Sequence, residues 1–140
     1  MEKRIVNQPE NVDGYRVVQE GEDVYKALKE GEIVMHWEAG NSMYPLLKHM
    51  EYCKIIPLGE TVLNKEFVIG KPVFCHFVYP DGDKLIDVYM VHRWTEIYER
   101  DGELYFRIEG TDGTHFGWTK DVYGIAESTN VFEDVRSLYS

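Results

Sequence analysis

From Gly70 to Thr129 the chain is a succession of β-branched and aromatic runs broken by short Gly/Asp turns. No other feature narrows the possible folds as much. "PVFCHFVY" reads as a strand, "PDGDK" as a turn and "LIDVYMVHRWTEIY" as a long returning strand. "ERDGE" makes a second turn, "LYFRIEG" pairs back, and "KDVYGIAEST" supplies one more strand. Such runs suit a pleated, half-buried surface, and Asp-Gly provides the positive φ angles of a tight hairpin. Short strands with little helix between them predict a mostly-β domain of hairpins. Curled up, it would form a barrel or sandwich with one or two short helices.

The first half is more mixed. "EDVYKALKEGE" reads as a helix, with acids at its start, lysines towards its end and Gly31 as a stop signal. "IVMHWEAGN" follows as a strand ending in turn residues. After Pro45, "LLKHM" makes a short helical turn, and "YCKIIPL" is a strand closed by Pro57-Leu58-Gly59. The tail "NVFEDVRSLYS" fits a short helix or an ordered extension equally. No repeat, low-complexity tract or long linker divides the chain, so residues 1–140 are read as one domain. Residues 1–32 form an N-terminal extension with the short helix, 33–129 the core and 130–140 a tail.

Charge removes whole classes of partner. The chain has 25 acidic residues against 15 basic ones, a formal charge of −10. That field repels phosphate, so neither nucleic acid nor an anionic membrane surface is expected as a partner. No apolar run approaches the roughly 20 residues of a membrane helix. The opening "MEKRIVNQPENVDG" has no apolar stretch like that of a signal peptide. A cytoplasmic protein without membrane insertion is the expectation.

Cys53 and Cys75 lie far apart, each in an apolar stretch, and read as buried free thiols rather than a disulfide. None of His36, His49, His76, His92 and His115 stands in an HxH or HExxH pair, and no phosphate-cradling glycine loop appears. No metal or cofactor is expected.

Two residues gain meaning from each other. In "EAGNSMYPLL", residues 38–47, Ser42 sits in a Gly-Asn-Ser turn just after a strand. In "DVYMVHRW" the alternation puts Val88, Met90, His92 and Trp94 on one strand face. A serine in such a turn is ordinarily only a turn residue. An imidazole on an apolar face is ordinarily a satisfied core histidine. A hydroxyl held at a strand end and a base on another strand are also the two parts of an activated nucleophile.

The order "GNSMYPLL", "GKPVFCHF", "YMVHRW", "YFRIEGTDG" and "VYGIAEST" resembles the serine peptidase clan of signal peptidases and LexA-type repressors. The likeness runs from about Ile33 to Thr129. It rests on a Ser-Met-x-Pro box after a strand, a base before arginine fifty positions on, and a closing Gly-hydrophobic strand. "VHRW" resembles the histidine-arginine pair of the archaeal and endoplasmic-reticulum signal peptidases, and with its "GNSMYPLL" box the chain is most similar to the small soluble bacterial and phage-borne relatives.

The resemblance implies a LexA/signal-peptidase-like β-fold and a soluble serine endopeptidase that cleaves a protein or peptide precursor. Ser42 would be the nucleophile, His92 the base and Asp112 the acid that orients it. Gly40, Asn41 and Met43 would form the oxyanion and substrate-binding turn. The protein would be cytoplasmic, or virion-associated if phage-encoded. Ser42 Oγ would attack a peptide carbonyl while His92 takes its proton and later returns it to the leaving amine. With an unperturbed pKa of about 6.5, histidine is largely neutral at pH 7, whereas a lysine base must first be desolvated.

Three features support a rival reading: "HMEYCKI" and Gly70-Lys71-Pro72 stand where Gly-Asp pairs are usual, "GTDGTHFGW" offers Asp112 alone as the acid, and the chain is rich in tyrosine. On that reading the chain is a catalytically weak or inactive peptidase-fold protein with a binding or structural role. Gly40 stands where bacterial signal peptidases carry serine, a departure that implies a slow enzyme. Ala39-Gly40, the one Ala-Gly pair, lies two residues before Ser42. Cleavage of its own chain in cis is therefore not expected.

Overall fold

The computed structural model describes residues 8–38, 51–58 and 69–132. Nine strands and one helix follow in order: β1 (Asn11–Val12), β2 (Tyr15–Arg16), α1 (Gly21–Lys29), β3 (Val34–Glu38) and β4 (Glu51–Pro57). Then come β5 (Pro72–Asp81), β6 (Lys84–Arg100), β7 (Glu103–Glu109), β8 (His115–Thr119) and β9 (Val122–Phe132). Seven of them make one antiparallel sheet in the order β3-β4-β9-β5-β6-β7-β8. The mostly-β expectation holds, and the single helix of the described residues falls where the sequence puts it. Among the described residues no helix is long and apolar enough to cross a membrane.

The sheet is not closed into a barrel: its two ends, β3 and β8, do not pair. The outer edge of β3 is taken instead by the segment before α1. Val17 bridges Met35 in parallel, and the Val18 N–H donates to Met35 O at 2.8 Å. A strand edge already occupied this way cannot accept β8.

The hairpins follow their turn chemistry. Asp101 and Gly102 both have positive φ, 52° and 80°, as a two-residue type I′ turn requires. Asp13 and Gly14 repeat this at 51° and 84° between β1 and β2. At the end of α1, Gly31 takes φ 85°, its N–H donates to Leu28 O, and Glu32 N–H donates to Ala27 O. That pair of bonds is a Schellman stop, so the predicted glycine signal worked for its predicted reason.

Sheet and helix enclose a core on each sheet face. Under α1, Val24 and Leu28 pack with Ile55, Phe74 and Val91. Across the sheet, Val73, Cys75, Trp94, Phe106 and Ile108 form the second cluster. The N-terminal segment belongs to the same body, since Val12 packs with Met35, Trp37 and Tyr52. Both cysteines are free and buried, and burial pushes the Cys75 thiol pKa upward, which leaves it unreactive.

Gly124 of β9 has no room for a side chain. A Cβ there would stand 2.9 Å from Ile56 O, 3.0 Å from Ile55 Cγ2 and 3.1 Å from Leu28 Cδ1. Gly124→Ala should therefore cost about 1–3 kcal/mol through forced overpacking. A lower urea midpoint with unchanged slope would show it.

Candidate active-site cleft

The strand partners of β6 change along its length. It pairs with β5 from Lys84 to Arg93, whereas β7 joins the opposite edge only from Arg93 onward. A bulge between Trp94 and Glu96 marks the change of course. Beside the stretch not covered by β7 opens a cleft of about 290 Å³. Gln19, Gly21 and His36 line it together with Phe74, Tyr89, Met90, Val91 and His92.

Each of the first three is fixed by a specific contact. The Gln19 amide donates to Trp37 O at 2.9 Å and accepts the Trp37 N–H at 3.1 Å, standing in for a neighbouring strand. His36 Nδ1 lies 3.1 Å from Val18 O, and since a carbonyl only accepts, that nitrogen carries the proton. Gly21 begins α1 against Tyr89, whose Cβ would be 2.6 Å from any Cβ added there. Sequence reasoning passed over these residues. Only the Asp-Gly turn of "NVDGY" signalled that the N-terminal segment is ordered enough to build a wall.

His92 is half-buried, its ring lying over Phe116 with centroids 4.1 Å apart and planes 22° from parallel. Burial lowers its pKa to about 4, against a smaller upward pull from Asp112. The imidazole is therefore neutral at neutral pH. Asp112 itself is exposed and works first as a turn residue. Its Oδ1 accepts the Thr114 N–H at 3.0 Å, and that bonding is the main reason its carboxyl is held below the usual range. Its effect on His92 is through space.

The remaining predicted site residues, Gly40, Asn41, Ser42 and Met43, lie outside the described residues.

A second histidine is more heavily partnered. His76 Nε2 lies 2.8 Å from Asp87 Oδ1, and its Nδ1 lies 3.2 Å from Asp121 Oδ2. The neighbouring hydroxyl, Thr119 Oγ1, donates to His76 O at 2.7 Å and accepts the Asp121 N–H. With ring and hydroxyl both committed, this group ties the β8–β9 turn to β5 and offers no free nucleophile.

The His92 shift makes a stability prediction. The folded pKa of about 4 lies below the ordinary value near 6.5, so on acidification the unfolded chain takes up this proton first. The contribution is complete above pH 6.5 and is lost as the pH falls towards 4. Urea midpoints measured over that window should drop less for His92→Gln than for the wild type.

No protein-family model, curated protein or solved structure matches the chain.

Proposed function

We propose that the chain is a serine endopeptidase in which Ser42 attacks a peptide bond of another polypeptide and His92 serves as its base. One observation supports the proposal: an imidazole kept neutral by burial borders a cleft that His36 of β3 also lines. Glu38 ends β3, and Ser42 follows four residues later in the sequence.

An extended polypeptide laid along the uncovered edge of β6 would form main-chain hydrogen bonds and bring a carbonyl to His92. His92 takes the hydroxyl proton as Oγ bonds to the carbonyl carbon. It then gives that proton to the leaving amine as the C–N bond breaks. A conjugate acid as strong as that of His92 favours the second transfer.

A fluorophosphonate probe tests the reading. Adduct on Ser42, lost in Ser42→Ala, supports it, and absence of any adduct on the folded protein from pH 6 to 9 overturns it. The binding-protein alternative rests on a different surface. Tyr98 stacks on Tyr105 at 5.1 Å and meets Trp118 at 4.9 Å on the outer side of β6–β8, with Tyr98 and Trp118 exposed. Such aromatic groups are common at protein interfaces.

A further inference from the structure

The edge of β6 from Leu85 to Val91 has no strand partner among the described residues, because β7 begins its pairing only at Arg93. An edge of this length is a template for another strand, which soluble proteins ordinarily blunt with lysine, proline or a bulge. Here it carries apolar residues instead. Leu85 is 73% exposed, the most of any large hydrophobic residue described, and Ile86 is 42% exposed. The β5–β6 hairpin that bears them runs on past the last β9 partner of β5, Cys75.

The edge is complementary to itself. A two-fold axis at Val88 in an antiparallel pairing sets Leu85 opposite Val91, Ile86 opposite Met90 and Asp87 opposite Tyr89. Directly opposed residues share a sheet face, so each exposed aliphatic side chain meets an apolar one and no carboxylates face each other. Shifting the axis to Asp87 would set two carboxylates face to face, which disfavours that register. The Val88 register also brings Leu85 beside Val91, which borders the cleft. Each copy thus offers a leucine to the other's cleft, the self-complementarity an isologous interface needs.

We infer that a second copy of this chain pairs with the β6 edge about Val88, giving a symmetric dimer. On the peptidase reading, which this consequence alone requires, each copy's strand occupies the path of the substrate, so the dimer is the inactive form. Each chain carries −10, so the copies repel at low ionic strength and salt favours association.

Sedimentation velocity and cross-linking test the dimer without reference to catalysis. The wild-type protein should change from monomer to dimer between low and high micromolar concentration, more readily in high salt. Leu85→Lys should remain monomeric. Under mild oxidation Val88→Cys should form a covalent dimer, because opposed Cα atoms about 4.5–5.5 Å apart suit a disulfide. Leu85→Cys should not, since the two copies of residue 85 would lie about 20 Å apart. Cys53 and Cys75 are buried and stay silent. A wild-type monomer at every concentration overturns the inference, as does equal cross-linking of the two cysteine variants. Failed fluorophosphonate labelling would sink the peptidase reading and leave the dimer to these measurements.

Discussion

Replacing His92 by alanine should slow fluorophosphonate labelling of Ser42 by about 10²–10⁴-fold, the usual contribution of a positioned acid–base group. Ser42→Ala should remove labelling and hydrolysis altogether. A neutral hydroxyl is a poor nucleophile, and without a base its proton has nowhere to go as the new bond forms. Asp112→Asn discriminates between a dyad and a triad. In a Ser-His-Asp triad the corresponding change costs about 10⁴. Here the carboxylate is in solvent, hydrogen-bonded to Thr114, and acts on His92 only across space. Solvent screens an interaction of this kind strongly, so the rate should fall by less than about tenfold. A loss of several orders of magnitude would mean that Asp112 orients the imidazole in the reacting complex. The pH dependence adds a signature: labelling should hold its plateau well below pH 6.5 and fall only towards the His92 pKa of about 4.

What the sequence made legible was local. The Asp-Gly dipeptides at 101–102 and the Gly31 stop act through backbone angles their own residues set. The alternation from Val88 to Trp94 placed His92 correctly because strand geometry alone fixes which residues share a face. Pairing with distant segments was less visible. β8 escaped notice since "HFGWT" is five residues long, interrupted by Gly117 at φ 121° and with its neighbours in turns. The β1–β2 hairpin was missed although "VDGY" carries the same Asp-Gly signal, because strands of two residues leave no period to read. The cleft lay beyond reach for a similar reason. Nothing in "VVQEG" reveals that Gln19 would satisfy both backbone groups of Trp37, or that Gly21 would rest on Tyr89.

Phe74→Ala should destabilise the fold by about 3–5 kcal/mol, a large part of the stability of an ordinary domain. Phe74 lies on β5 and is 1% exposed. Its ring joins the cluster beneath α1 and stacks on Tyr89 at 5.7 Å, with the planes 11° apart. Truncation leaves a void that the flanking strands cannot close, since β5 is held by β6 on one side and by β9 on the other. Phe74→Leu, which keeps more of the volume, should cost distinctly less, and guanidinium midpoints at a common slope would measure the difference. The consequence reaches the cleft. Tyr89 supports Gly21 on one face and shares the cleft wall with Phe74, so losing the stacked ring frees the residues that hold α1 against β6. Folded Phe74→Ala protein, kept below its unfolding midpoint, should therefore label more slowly than Phe74→Leu even though neither change touches Ser42 or His92. Equal labelling rates would mean that the cleft keeps its shape without this ring, and that His92 is positioned from the Phe116 side alone.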